Sequence, residues 1–334
     1  MSSNKIEIIA EIAQGYEGNK KLGQLLALGA IRAEADAIKF QIVYADELAT
    51  PDYHYYPLFK SLEMPKEVWK SLTSTAHQAG KRMYFDVYGE KSLQLAKELG
   101  ADGIKVSTTE FYNAELVRKA LRMEFSNVFI SIGGIPIKDI HELIARESLK
   151  PESRLCFLFG FQAEPTPLEN NNLLRIAALK KEFPGFAFGF MDHSLGTSED
   201  AFYLPVLALA TGISCIEKHI SLDPLLEVED YISALTPERF REFVQKIRKY
   251  EMALGTPRLE LTPLEEEYRK KVVKVVVARE DLPAGTLLMR EHLDLKRVSA
   301  AFKEAKTYNQ MEGVVGKTLK RKTMKNAPII EEIL

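Results

Sequence analysis

Short apolar runs alternate with longer amphipathic segments along most of the chain. Eight of these runs, each bounded by polar or turn-forming residues, predict strands that are buried on both faces, as in a parallel sheet covered by helices. They are Glu7–Ala13, Ala37–Val43, Arg82–Val87, Gly103–Thr108, Asn127–Gly133, Arg154–Gly160, Phe186–His193 and Cys215–Ser221.

Helical periodicity fills the segments between these runs. The clearest predicted helices are Lys20–Ala33, Glu67–Ala79, Lys91–Leu99, Ala114–Met123, Asn172–Glu182, Ser198–Gly212 and Pro237–Leu254. Eight strand–helix units over roughly 250 residues predict a (β/α)₈ TIM barrel of the α/β class. A doubly wound open sheet is the alternative, but no glycine-rich dinucleotide turn follows the first run.

Two regions depart from the repeat. A long insert, residues 44–65, follows the second predicted strand and is either a lid over the barrel mouth or a surface excursion. After Thr256 the pattern changes to a charged segment and then to short, turn-rich elements. We therefore predict a barrel domain over residues 1–256, a linker over 257–271 and a small domain over 272–334.

Composition narrows the function classes. The 334 residues are 46% hydrophobic and 28% charged, which suits a soluble protein with a sizeable core. A formal net charge of −2 gives no electrostatic reason to expect nucleic acid or an anionic membrane as a partner. No apolar run reaches the roughly 20 residues of a membrane span. Cys156 and Cys215 lie in apolar runs as expected of free buried thiols, and a cytoplasmic location is predicted.

Two histidines end neighbouring predicted strands. His193 and His219 are separated by one strand–helix–strand crossover, and Glu217 shares a strand face with His219. Imidazoles at this spacing are typical ligands of a divalent metal, and a nearby carboxylate can orient them or a bound water. The alternative is a pair of hydrogen-bonded structural histidines.

Other polar residues also end the predicted strands, where the active site of a (β/α)₈ enzyme forms. They are Glu11, Lys39, Gln41, Asp86, Lys105, Thr108, Glu110, Ser131 and Asp192. Two lysines and several hydroxyls at one barrel mouth suit a ligand with phosphate or carboxylate groups. Each lysine could instead pair with a neighbouring acid, and a Schiff-base aldolase would also place a lysine at a strand end.

At these positions the chain resembles the sialic acid synthase family, which makes N-acetylneuraminate, legionaminate and pseudaminate. The matching segments are Glu11-Ile-Ala, Ala35-Asp-Ala-Ile-Lys-Phe-Gln41, Lys105-Val-Ser-Thr-Thr-Glu110, Asp192-His193 and Glu217-Lys-His219-Ile-Ser-Leu-Asp223. The tail is similar to the family's antifreeze-like domain through Asp281-Leu-Pro-Ala-Gly-Thr-Leu and Leu293-Asp-Leu-Lys-Arg297.

The resemblance implies an enzyme that condenses phosphoenolpyruvate with an N-acylated aldose such as N-acetylmannosamine, releases phosphate and uses Mn²⁺ or Mg²⁺. It implies His193 and His219 as metal ligands and Glu11 and Glu217 as groups that handle protons or water. Phosphoenolpyruvate would be held by Lys39, Lys105, Thr108 and Ser131. The sugar side would include Glu11, Gln41, Glu110 and Asp230, and Asp192 is a further substrate-binding candidate. In a homodimer whose tails cap each other's barrels, Arg297 would reach the neighbouring site.

Several positions differ from the family pattern. Tyr16 lies where an Asn-His-x-Gly segment is usual, Asp86 replaces a phosphate-binding threonine, and Met191 replaces a serine before Asp192. Gln162 and Glu164 replace residues expected to contact the sugar. An acid at position 86 disfavours an anionic ligand. Alternatives are therefore an aldolase or condensing enzyme with another aldose, and a non-catalytic binding protein.

Overall fold

The computed structural model describes residues 5–299 and 305–334 and contains a closed barrel of eight parallel strands, which confirms the predicted fold class. Strand order follows the sequence, and the first strand pairs with the eighth to close the barrel. The strands are β1 (Glu7–Ala13), β2 (Ala37–Gln41), β3 (Arg82–Val87), β4 (Gly103–Val106), β5 (Asn127–Ser131), β6 (Leu155–Phe159), β7 (Ala187–Asp192) and β8 (Cys215–His219).

Helices surround the barrel and bury their apolar faces against the strands. They are α1 (Lys20–Arg32), α2 (Ala45–Leu48), α3 (Tyr56–Ser61), α4 (Lys66–Gln78), α5 (Glu90–Glu98), α6 (Ala114–Arg122), α7 (Ile137–Arg146), α8 (Leu174–Glu182), α9 (Asp200–Leu209) and α10 (Pro237–Leu254). The insert after β2 contains the short helices α2 and α3, which we did not predict. Local signals set the helix starts: Asn19 accepts bonds from the first turn of α1, and Thr236 caps α10.

Side-chain alternation along the strands arranges the barrel interior in layers. The lower part is apolar and contains Ile9, Ala37, Tyr84, Phe129, Cys156, Leu158, Met191 and Cys215. Two residues further along their strands, Glu11, Lys39 and Asp86 lie on the same inward face, so the polarity of the interior changes toward the carboxyl ends. The chemistry of the barrel is thus concentrated in its upper layer.

Contacts divide the chain after Thr256, and the second compact unit contains residues 257–334. Its start, predicted as a linker, contains helix α11 (Pro263–Val272), whose Thr262 forms a capping box with Glu265. Strands β9 (Val275–Ala278) and β10 (Leu293–Lys296) pair antiparallel. Val276, Leu288, Leu293, Val314, Leu319 and Ile329 are among the residues of a small core of its own.

Within residues 5–299 and 305–334, no helix combines the length and apolar character that crossing a bilayer requires. Cys156 and Cys215 are free and buried in the barrel interior, as predicted. The cytoplasmic location stays a prediction.

Candidate active site

A cavity of about 200 Å³ opens at the carboxyl ends of the strands. Most of its wall is polar, and the loops after β1, β4, β6 and β8 complete it. Its lining residues are Glu11, Gln14, Gln41, Asp86, Tyr88, Lys105, Ser107, Thr108, Thr109, Gln162, Glu164, His193, Glu217, His219, Glu229 and Asp230. Eleven of them are positions that the sequence analysis singled out: Glu11, Gln41, Asp86, Lys105, Thr108, Gln162, Glu164, His193, Glu217, His219 and Asp230.

Lys39 lies beneath this cavity and does not line it. Its side chain is fully buried, and its ammonium contacts Glu11, lies 2.5 Å from Asp86 Oδ1 and 3.4 Å from Glu217 Oε2. Burial alone lowers the pKa of Lys39, but the carboxylates of Asp86, Glu11 and Glu217 raise it above its ordinary value. The structure therefore agrees with the alternative in which Lys39 pairs with neighbouring acids.

Lys105 is the lysine that faces the cavity. Its ammonium lies 2.7 Å from Glu217 Oε1 and 3.4 Å from Asp86 Oδ2. Burial opposes ionisation of Glu217, but Lys105 and Lys39 together lower its pKa to about 2. Burial raises the pKa of Glu11 to about 8 in spite of Lys39. At neutral pH the cluster therefore contains an ionised Glu217 beside a protonated Glu11.

His193 and His219 meet at the ends of β7 and β8, with their Nε2 atoms 3.2 Å apart. Burial lowers the pKa of each imidazole to about 3, so both rings are neutral at physiological pH. His219 Nδ1 lies 3.5 Å from Asp230 Oδ2, while the buried His193 Nδ1 has no hydrogen-bond partner among the residues that the structure describes. The pair therefore offers nitrogen lone pairs to a ligand at the cavity surface.

These two rings fit a divalent metal. Imidazole nitrogens bind such ions at about 2.0–2.1 Å, which places two adjacent ligand atoms about 3 Å apart. Nitrogen donors suit Mn²⁺ better than Mg²⁺, which prefers oxygen. Among the residues that the structure describes, however, no three His, Cys, Asp or Glu side chains are grouped as a ligand set. Any further ligands would come from water or substrate.

Hydroxyl groups line the cavity beside Lys105. The hydroxyls of Thr108 and Ser131 share a hydrogen bond of 2.7 Å, although Ser131 itself lies below the cavity surface. Within residues 5–299 and 305–334, Ser107 Oγ is buried without a hydrogen-bond partner, and Thr109 completes this side. Lys105 with these hydroxyls forms what we call the lysine–hydroxyl wall (Lys105, Ser107, Thr108, Thr109).

Carboxyl groups line another part of the cavity, which we call the acid wall (Glu164, Glu229, Asp230). Burial raises the pKa of Asp230 to about 6, and it interacts with Glu164 and Glu229. Burial and Asp230 raise the pKa of Glu164 to about 7, and burial and Glu164 raise that of Glu229. Glu164 and Glu229 reach solvent at the rim.

Three other predicted residues do not line the cavity. Asp192 points away from the barrel interior because His193 points in, and it pairs with Lys218 at 2.9 Å. Glu110 is buried and accepts a bond from Asn113. Arg297 belongs to the second unit, where its Nε donates to the Val272 carbonyl.

The other five lining residues, Gln14, Tyr88, Ser107, Thr109 and Glu229, were not among the candidate site residues predicted from the sequence. Gln14 and Tyr88 both donate hydrogen bonds to Gln41 Oε1, at 2.9 Å and 2.6 Å. Tyr88 lies two residues after Asp86, so the alternation of side chains along the strand could have predicted that Tyr88 also faces the cavity. Gln14 and Glu229 lie on loops whose conformation no periodicity predicts.

Comparison with known proteins decides the family. The model of the NeuB family matches residues 27–258, and that of the SAF domain matches residues 273–331. The chain belongs to the NeuB family. It is a divergent, sialic-acid-synthase-like member and an enzyme by that assignment, as predicted.

Named relatives of this NeuB family chain share less than a third of its residues. The pseudaminic acid synthase of Campylobacter jejuni is 27% identical and aligns over 93% of this chain and 92% of its own. The N-acetylneuraminate-9-phosphate synthase of Mus musculus is 29% identical and aligns over 86% of this chain and 82% of its own. The crystal structure of the N-acetylneuraminic acid synthetase of Leptospira borgpetersenii, in complex with citrate, has a TM-score of 0.73 at 25% identity, covering 81% of this chain and 93% of that one.

Proposed function

We propose that this NeuB family enzyme condenses phosphoenolpyruvate with an aldose to give a nonulosonic acid and phosphate. The observation that carries the proposal is the meeting of two neutral histidines and the lysine–hydroxyl wall in one cavity at the barrel mouth. The first offers ligands for a Lewis acid, and the second offers donors for an anion. The named relatives, which are nonulosonic acid synthases, support the same reaction class.

The lysine–hydroxyl wall would hold the phosphate and carboxylate of phosphoenolpyruvate. Lys105 supplies the charge, and Ser107, Thr108 and Thr109 supply hydroxyl donors. In the part of the chain that the structure describes, Ser107 Oγ has no hydrogen-bond partner that it would have to give up on binding the substrate. Lys39, below the surface, would act by keeping Glu11, Asp86 and Glu217 in place.

His193 and His219 would hold a divalent ion, Mn²⁺ in preference to Mg²⁺. When bound, this ion supplies Lewis-acid polarisation of the aldehyde oxygen. The alkene carbon of phosphoenolpyruvate then bonds to the aldehyde carbon, and the protonated Glu11 donates its proton to the alkoxide. Water adds to the resulting oxocarbenium carbon, and the ionised Glu217 accepts the proton that it loses. Loss of phosphate from that carbon leaves the keto acid.

Assembly is the second part of the proposal. The enzyme would be a homodimer in the cytoplasm whose second units each cap the neighbouring barrel. Arg297 is exposed in the second unit, and its Nε donates to the Val272 carbonyl. A guanidinium has further N–H donors, which suit a planar acceptor such as a carboxylate. Two-fold symmetry would give both sites the same contribution.

One observation favours a second candidate, a metal-dependent aldolase or condensing enzyme whose donor carries less negative charge. Asp86 contacts both Lys39 and Lys105, and so reduces the positive potential that a phosphate group would meet. The two functions differ in whether phosphate is produced.

Phosphate release with Mn²⁺, phosphoenolpyruvate and a panel of aldoses tests the proposal. We expect release with at least one aldose, and loss of it in Lys105→Met. The control is Lys138→Met, which removes an exposed lysine of α7 and should retain activity. No phosphate release with any aldose, or full activity of Lys105→Met, would contradict the proposal, and aldol product formed from pyruvate would support the second candidate.

A further inference from the structure

A buried ion pair lies directly behind the two histidines. Asp192 ends β7 immediately before His193. Lys218, immediately before His219 on β8, is its partner in the strand register. Because side chains alternate along a strand, the two charged side chains project outward while the imidazoles project into the barrel. Both are fully buried, with 2.9 Å between Lys218 Nζ and Asp192 Oδ2, and the proposed reaction gives neither of them a role.

Ser194 completes the hydrogen bonding of this pair, and we call the three residues the strand clamp (Asp192, Ser194, Lys218). The Ser194 N–H donates to Asp192 Oδ1 at 2.9 Å, and its hydroxyl donates to Asp192 Oδ2 at 3.0 Å. The Lys218 ammonium donates to the Ser194 carbonyl at 3.0 Å and to its hydroxyl at 3.3 Å, besides its contact with Asp192. The ammonium thus has three acceptors for its three N–H groups. The clamp joins the backbone on both sides of His193 to the residue before His219.

The two imidazole rings have few hydrogen bonds of their own. Metal-binding histidines usually donate their second ring N–H to a carboxylate, a carbonyl or water, which fixes the ring. Among the residues that the structure describes, His193 Nδ1 has no hydrogen-bond partner, and the contact of His219 Nδ1 with Asp230 Oδ2 is long at 3.5 Å. The separation of 3.2 Å between the Nε2 atoms therefore depends on where the backbone of β7 and β8 places the rings.

The chemistry of the clamp points to a role other than stability. Burial of two charges is costly, and replacing a buried ion pair by apolar residues of similar volume is often neutral or stabilising. The best-attested effect of such a pair is to specify one register of the elements that it joins. Here the joined elements are the two strand ends that present the histidines.

We propose that Asp192 and Lys218 are positioning residues that set the distance and orientation of the two imidazoles for a divalent ion. The inference rests on the metal role in the proposed function and adds residues that the ion does not touch. With two protein nitrogens as ligands, displacement of either ring lowers the affinity directly. The proposal also gives a role to Asp192, which was predicted to bind substrate but does not line the cavity.

Titration of the metal-free enzyme with Mn²⁺, followed by electron paramagnetic resonance, measures affinity without turnover. The double variant Asp192→Asn, Lys218→Met removes the cross-strand link and leaves no lone buried charge. We expect its affinity for Mn²⁺ to fall by about tenfold to a hundredfold. Asp192→Asn alone is the conservative variant, because its amide oxygen can still accept from Lys218, and it should retain the wild-type affinity within about threefold. The absorption spectrum of bound Co²⁺ should change in the double variant only.

The control is the pair Arg118→Met, Glu147→Gln. It removes an ion pair of 3.0 Å that connects α6 to the residue after α7 and does not line the cavity. Denaturant titration of all variants measures stability, and the control should lose stability without losing affinity for Mn²⁺. An equal loss of affinity in the control would overturn the inference, because instability alone would then explain the result.

Unchanged Mn²⁺ affinity in the folded double variant would also overturn it. If that variant does not fold, Ser194→Ala decides the matter: loss of the hydroxyl shared by Asp192 and Lys218 should weaken Mn²⁺ binding about fivefold, and unchanged binding would refute the positioning role. A wild type that binds no Mn²⁺ would refute the metal role and the inference together. Normal Mn²⁺ binding without phosphate release would refute only the condensation, and the affinities of the variants would still decide the inference.

Discussion

Replacing Asp86 by threonine removes one of the two carboxylates, the other being Glu217, that contact both Lys39 and Lys105. Asp86 Oδ1 lies 2.5 Å from Lys39 Nζ and Oδ2 lies 3.4 Å from Lys105 Nζ. A phosphate bound by Lys105 would lie about 5 Å from this carboxylate, and two unit charges at that distance repel by about 3 kcal/mol at an effective dielectric constant of about 20. Solvent and compensating ions reduce the net effect, so we expect phosphoenolpyruvate to bind about tenfold more tightly.

The fold should tolerate this change. Lys39 keeps its contacts with Glu11 and Glu217, so no buried charge is left alone. We expect a loss of about 1–3 kcal/mol in the free energy of unfolding, less than the 3–5 kcal/mol typical of breaking an isolated buried pair. Asp86→Asn, which removes the charge and keeps the shape, is the matched control for the electrostatic argument.

Calorimetric titration with phosphoenolpyruvate and steady-state phosphate release measure the outcome. Tighter binding in both variants agrees with Asp86 acting as a counter-charge to the lysines, whereas unchanged binding would show that the repulsion is already screened. If both variants bind phosphoenolpyruvate more weakly and lose activity while still folded, the reasoning is wrong, and Asp86 contacts a substrate directly.

Four further results are expected. His193→Ala or His219→Ala should retain the fold by circular dichroism but lose bound metal and turnover, and near-normal rates after chelation would refute the metal role. Lys39→Met should lower the free energy of unfolding by about 3–5 kcal/mol, because it leaves buried carboxyl groups without their shared cation; denaturant titration measures it. The raised pKa of Glu11 means that its contribution to stability is largest at acidic pH and is lost as pH rises toward about 8, so Glu11→Gln should flatten the decline in stability across that interval. Arg297→Ala should impair sugar use without loss of metal, and mixing it with His193→Ala should restore some activity; a monomer in solution, or exchanged dimers without recovery, would refute the proposed dimer.

The alternation of apolar runs and amphipathic segments along the chain was sufficient to predict the barrel. Each strand is a short apolar run, and the β/α alternation allows few other architectures, so the eight strands were predicted within about two residues of their ends. The same alternation placed His193 and His219 on the inner face at neighbouring strand ends, where the structure brings their Nε2 atoms to 3.2 Å. The insert helices α2 and α3 are too short to leave a periodic signal.

Which of the predicted residues line the cavity depended on closure of the barrel. Lys39 and Lys105 are equivalent in sequence, since each is a strand lysine near a carboxyl end. Only the curvature of the closed sheet places Lys39 under three carboxylates and leaves Lys105 at the cavity surface. The acid wall likewise joins Glu164, from the loop after β6, to Glu229 and Asp230, from the loop after β8. Local propensity acts over a few neighbouring residues and determines the elements, whereas charge compensation depends on distances between residues remote in the chain, which only the folded barrel determines.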